Sequence, residues 1–145
     1  MDNDKLTPAL SGIHHVSLRV ADLDTSLKLY RDTLGFRLKT AFALNDRRFA
    51  LLDAGNSGYL ELVETQTPIH PARADDVIWH FAVRTNDVER ALEAVVRAGY
   101  EVTRPAKGID LMDTARDQAF SIRIAFFRGP DGEEIELFED KQGHT

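Results

Sequence analysis

A chain of 145 residues with 43% hydrophobic and 29% charged residues suits one soluble domain, or two small modules sharing a core. Its net charge of −6, without a long basic run, argues against nucleic acid or an anionic membrane as partner. The absence of cysteine excludes disulfides, thiolate ligands and a cysteine nucleophile. No apolar run reaches the length of a spanning helix and the acidic start has no signal-peptide core, so a cytoplasmic protein is expected.

Residues 1–11 read as a polar arm broken by Pro8. From Ile13 the chain alternates, with His14, Val16, Leu18 and Val20 on one strand face and His15, Ser17 and Arg19 on the other. This places His14 with the core and His15 away from it. Asp22 or Asp24 caps a helix whose apolar stripe is Leu23, Leu27, Tyr30 and Leu34, and Gly35 closes it. Strands follow over 36–44, 48–53 and 59–64, with turns at Asn45-Asp46 and at Gly55-Asn56-Ser57-Gly58. The first module, 12–64, is therefore βαβββ, and 65–76, with Pro68 and Pro71, is a linker.

The second module, 77–140, repeats the pattern. A strand over 77–84 leads to a helix capped by Asn86 or Asp87, with Val88, Leu92 and Val95 as its stripe and Gly99 as its stop. A strand over 100–104 precedes a long loop, 105–118, carrying Lys107 and Arg116. A hairpin of 120–128 and 133–139 then turns through Gly129-Pro130-Asp131-Gly132. The strand His15-Val16-Ser17-Leu18-Arg19 is echoed by His80-Phe81-Ala82-Val83-Arg84, and Leu60-Glu61-Leu62-Val63-Glu64 by Ile135-Glu136-Leu137-Phe138-Glu139. The histidine-to-glycine spacings agree within one residue, and the ten extra residues between histidine and glutamate in the second half fall within 105–118. A mismatch confined to one segment marks an internal duplication.

Strand periodicity puts His15, Glu61, His80 and Glu136 on the sides of their sheets away from the helices. On a half-exposed sheet such residues are ordinary solvated side chains. Two histidines and two carboxylates at matched places in a repeat are instead the donors a divalent metal needs. Arg19 and Arg84, four residues after each histidine, suit a substrate carboxylate or phosphate, or simply offset nearby glutamates. Lys107 and Arg116 suit closure over a ligand. Phe42, Phe49 and Phe120 fit core packing better than a pocket wall.

At these residues the chain resembles the vicinal oxygen chelate superfamily, which includes glyoxalase I, epimerases, extradiol dioxygenases and bleomycin-resistance proteins. The resemblance covers 12–139, most specifically in GIHHVSLRVADLDTSLKLYRDTLGF and AFFRGPDGEEIELFE. It implies an α+β fold of two βαβββ modules whose curled mixed sheets form a metal-binding cleft, together one domain, in many members a homodimer. Carried over residue by residue, it implies metal ligands at His15, Glu61, His80 and Glu136, the glyoxalase I set, holding one divalent ion (Ni, Zn, Co, Mn or Fe). The implied chemistry is a lyase or isomerase reaction, a proton transfer next to a carbonyl through an enediolate, with Glu136 or Glu61 as the base. The implied substrate is a small carbonyl compound such as a glutathione hemithioacetal, with Arg19 where the family contacts glutathione. Two alternatives stand beside it: an acyl-thioester epimerase, and a drug-sequestering binding protein of the bleomycin-resistance type. No His lies between His80 and His144, which counts against ring cleavage, and Thr65 stands where glyoxalase I usually has Asn.

Overall fold

Each half of the chain wraps one helical segment against one face of a four-stranded sheet. The computed structural model describes residues 9–55 and 58–145. Most of the expected arm, residues 1–8, and Asn56-Ser57 of the expected turn lie outside that range. The chain divides into two units between Thr67 and Pro68.

In the first unit, β1 (His15–Val20) runs through Asp22 into α1 (Leu23–Leu27). Asp22 is extended at φ −142° and its side chain accepts from the Asp24 N–H, occupying a donor that a helix start leaves unpaired. After little more than one turn the helix widens to a π-helical segment, Lys28–Thr33. The widening brings Leu29, as well as Leu23, Leu27 and Tyr30, into the core. Leu34, expected on the stripe, is only half-buried, because a stripe drawn at 3.6 residues per turn does not anticipate the wider turn. Gly35, at φ 80°, closes the segment, and the Phe36 N–H reaches back to the Tyr30 carbonyl at 2.9 Å.

Strands β2 (Arg37–Leu44), β3 (Arg47–Asp53) and β4 (Tyr59–Glu64) follow. Asn45 and Asp46 form the two-residue turn between β2 and β3, both at positive φ, the backbone that matches a hairpin's twist. The strand order is β1-β4-β3-β2, with β1 parallel to β4 and the other pairs antiparallel.

The second unit repeats this order with β5 (His80–Arg84), α2 (Val88–Arg97), β6 (Val102–Asp113), β7 (Gln118–Arg128) and β8 (Glu134–Glu139). Its sheet runs β5-β8-β7-β6 and again pairs its first and last strands in parallel. The architecture is α+β, two βαβββ modules with open mixed sheets. No helix among the described residues is long and apolar enough to cross a membrane.

Three expectations change. The loop expected over 105–118 is strand: β6 and β7 pair as far as Asp113 and Gln118, and only residues 114–117 turn. Lys107 therefore sits on a strand rather than a mobile loop. Pro105 suggested a break, but β6 is an edge strand, where a missing N–H is tolerated, and the register shifts between Arg104 and Lys107 absorb it. The ten extra residues lengthen a hairpin. The strand expected over 77–84 begins at His80, leaving Val77 and Ile78 exposed. His14 is exposed rather than in the core, because it precedes the paired part of β1.

The helix-facing side of the second sheet buries Ala125, Phe127, Ile135 and Leu137 against Val88 and Val95. Leu137 is 1% exposed, so Leu137→Ala removes buried methyl groups and leaves a cavity. The expected loss is about 2–5 kcal/mol, measured as a lowered midpoint in denaturant with an unchanged slope.

Candidate metal centre

Parallel pairing places each histidine beside its glutamate. Ser17 lies opposite Glu61 on β1 and β4, so His15, two residues earlier, shares Glu61's face and points at it diagonally. Ala82 lies opposite Glu136 on β5 and β8, so His80 stands to Glu136 in the same way. The Nε2–Oε1 separation is 3.7 Å in the first unit and 3.7 Å in the second. The duplication is thus repeated in register and in side-chain geometry.

That separation is too long for a hydrogen bond. Two ligands held about 2.1 Å from one ion at tetrahedral or right angles stand roughly 3.0–3.4 Å apart, so a few tenths of an ångström of side-chain movement suffices to seat an ion on either pair. Imidazole nitrogen with carboxylate oxygen, and no thiolate, suits Zn, Ni, Co, Mn or Fe. In each pair the imidazole Nε2 and the carboxylate Oε1 face one another, at 3.7 Å, so both groups turn a lone-pair atom to the same point. The residues present fit a divalent metal.

The second pair lies in an aromatic setting. Phe126 stands opposite Glu136, and the His80 ring meets Phe126 and Trp79 edge-on at 4.9 and 4.4 Å. Arg104, opposite Phe126 on the edge strand, holds its guanidinium 5.1 Å from both rings. The Glu136 side chain is only 12% exposed. Burial pushes its carboxyl above the ordinary carboxylate value, against the attraction of His80 and Arg104.

Around the first pair, the His15 Nδ1 lies 3.0 Å from the His14 Nδ1. On the same sheet face Arg19, Val63, Phe49 and Phe42 form one cross-strand row. The two phenylalanine rings stack at 4.8 Å, and Phe42 is 44% exposed, so this pair is a surface platform and not core packing. In the second unit Arg84, Phe138, Ile124 and Lys107 form the corresponding row, which brings two of the expected substrate contacts to one sheet face. Among the described residues none of Arg19, Arg84 and Lys107 is in an ion pair. Arg116 is instead held by Asp113 at 3.1 Å within the turn, and Phe120 stacks on His144 at 4.3 Å.

An acidic cluster, Asp87, Glu89 and Glu139, is accounted for by the start of α2. Asp87 caps it through the Arg90 N–H, Glu89 pairs with Arg123, and Glu139 accepts from the Val88 N–H at 2.9 Å. Glu64 does the same for Leu23 at 2.9 Å. The final glutamate of each matched segment therefore holds a helix start, while the glutamate three residues earlier faces the opposite side of the sheet. Arg48 and the Leu23 N–H hold the Glu64 carboxyl down at about 2, against an ordinary 4.5. Its stabilising contribution is present above pH 4.5 and is lost as the pH falls towards 2. Glu64→Gln is expected to flatten the acid limb of the stability curve across that interval, as read by denaturant midpoints at stepped pH.

Residues 12–137 match the profile of the Glyoxalase/Bleomycin resistance protein/Dioxygenase superfamily. The chain belongs to this superfamily. Over 89% of its length it is 31% identical to a protein named lactoylglutathione lyase from Haemophilus influenzae, covering 93% of that protein. The trypanothione-dependent glyoxalase I of Leishmania major superposes with a TM-score of 0.63 at 26% identity, covering 88% of this chain and 85% of the other. A glyoxalase family protein from Enterococcus faecalis shares the fold, with a TM-score of 0.66 at 21% identity over 90% and 99% of the two chains.

In this superfamily member the residues that periodicity overlooked are Arg104, Trp79 and Phe126. The signal for Arg104 is its place at the end of the strand expected over 100–104, which in the structure continues through Pro105 as β6. Trp79 falls within the strand expected over 77–84, but it precedes β5 and its ring meets His80 at 4.4 Å.

Proposed function

We propose that this chain is a divalent-metal-dependent lyase of the lactoylglutathione lyase kind, which isomerises the hemithioacetal of a 2-oxoaldehyde and glutathione to a 2-hydroxy thioester. The observation that carries the reading is the matched His–Glu geometry, 3.7 Å in each module, on a chain whose relatives bear that name. The proposed ligands are His15, Glu61, His80 and Glu136, and the proposed assembly is a homodimer. A divalent cation held by these groups supplies positive charge to the substrate oxygens on which negative charge develops.

Glu136 is the proposed base. Its half-buried carboxylate takes the proton from the hydroxyl- and sulfur-bearing carbon and returns it to the neighbouring carbon, while the hydroxyl proton passes from the oxygen of the first carbon to that of the second, so that no atom is gained or lost overall. Phe126 and Trp79 keep water from the carboxylate and the imidazole beside it. Arg19, Arg84 and Lys107 supply cations for the carboxylates of the glutathione moiety, and the Phe42–Phe49 platform offers an apolar surface to the aldehyde-derived group.

The test incubates metal-loaded protein with methylglyoxal and glutathione in deuterated water and follows thioester absorbance together with exchange at the transferred position. Thioester formation dependent on added Ni, Co, Zn or Mn supports the reading. A loaded protein that binds the hemithioacetal without turnover or exchange overturns it in favour of a sequestering protein.

A further inference from the structure

We infer that His14 is a positioning residue for His15, fixing which ring nitrogen of His15 is free to hold a metal. The inference rests on the proposal that His15 is a ligand. Adjacent residues of an extended strand normally face opposite ways, but His14 lies just before β1 and its ring folds back beside its neighbour. The two Nδ1 atoms are 3.0 Å apart, and the rings meet edge-on at 88°. The His14 ring is steadied against Tyr59 at 5.0 Å, the residue paired with His15 across the sheet.

One proton lies between two ring nitrogens in hydrogen-bond contact. The His15 Nε2, directed at Glu61, must be without hydrogen to bind a metal. The shared proton therefore belongs on the His15 Nδ1, which donates it to the His14 Nδ1. A neutral imidazole whose Nδ1–H is so engaged presents its lone pair from Nε2 and is held in orientation, the part that carboxylates and carbonyls usually play behind metal-bound histidines.

The two modules differ here. The position before His80 is Trp79, whose ring stands edge-on to His80 at 4.4 Å and whose indole has only a donor. Among the described residues the His80 Nδ1 accordingly has no hydrogen-bond partner. The two modules share the His–Glu geometry, and among the described residues the first alone sets a ring-nitrogen acceptor behind its histidine.

The experiment compares wild type, His14→Ala and His14→Asn, whose side-chain oxygen replaces the Nδ1 acceptor. Affinity for Zn and Ni is measured by competition with a chromophoric chelator, and the His15 tautomer by long-range nitrogen–proton correlation spectra of metal-free protein. The expected result is a loss of about 10–100-fold in affinity for His14→Ala, largely restored in His14→Asn. In parallel, the His15 Nδ1–H form should dominate in wild type and be lost in His14→Ala. Affinity within twofold of wild type in His14→Ala, or a wild-type His15 carrying its proton on Nε2, overturns the inference. A wild-type protein that takes up no divalent ion refutes the ligand proposal instead, and the tautomer spectra still decide the part played by His14.

Discussion

Glu136→Gln is expected to lower turnover of the methylglyoxal–glutathione hemithioacetal by about 10²–10⁴-fold, the range for a lost general base. The glutamine keeps the size of the side chain and an oxygen that can still face His80, but it cannot take a proton. Metal content should therefore fall less than activity, and that split separates a base from a mere ligand. Glu61→Gln serves as the comparison, because Glu61 stands to His15 as Glu136 stands to His80. The assignment to Glu136 rests on burial that raises its carboxyl; near-normal turnover in Glu136→Gln, with collapse in Glu61→Gln, would transfer the role. The raised carboxyl also gives a sign. Metal-free protein retains a proton on Glu136 at pH values where an ordinary glutamate has lost it, so metal uptake must displace that proton. Affinity should weaken as the pH falls through that region, with proton release visible as a buffer-dependent heat of binding. In the metal-free protein, the same group lets the fold gain stability as the pH falls through the raised value.

The repeat was the most legible feature of the sequence because it was written in strands. Period-two alternation put Glu61 between Leu60 and Leu62, and Glu136 between Ile135 and Leu137, and both glutamates lie opposite buried leucines and isoleucine. Side-chain direction follows from backbone pleat alone, so the face of each candidate was readable without knowing its neighbours. What was not readable depended on local departures from ideal geometry. The π-helical turn at Lys28–Thr33 changed which residues reach the core, and no 3.6-residue count reveals that. Pro105 hid a strand, because whether a missing N–H matters depends on whether the strand is at the edge, a property of the finished sheet. The exposed Phe42–Phe49 stack illustrates the same limit. An aromatic residue alternating on a strand reads as core until the sheet's uncovered face is known.

His80→Ala is expected to remove most of the bound metal, a loss larger than the roughly 10–100-fold that follows from disturbing a group behind a ligand. The fold should survive it. His80 opens β5 on the face away from α2, touching Trp79 and Phe126, while the core under the helix is made by Phe127, Ile135 and Leu137. Thermal stability of metal-free His80→Ala should accordingly lie much closer to wild type than that of Leu137→Ala. Elemental analysis of wild type, His80→Ala and His15→Ala after loading with Ni, Co, Zn or Mn then reads the site by stoichiometry. If four residues hold one ion, each single variant abolishes nearly all uptake, since two ligands from one pair are a poor site. If each His–Glu pair held its own ion, either variant would lose half and the double variant all. Uptake unchanged in both single variants would leave the paired 3.7 Å geometry without a metal-binding role, and the lyase proposal would fall with it.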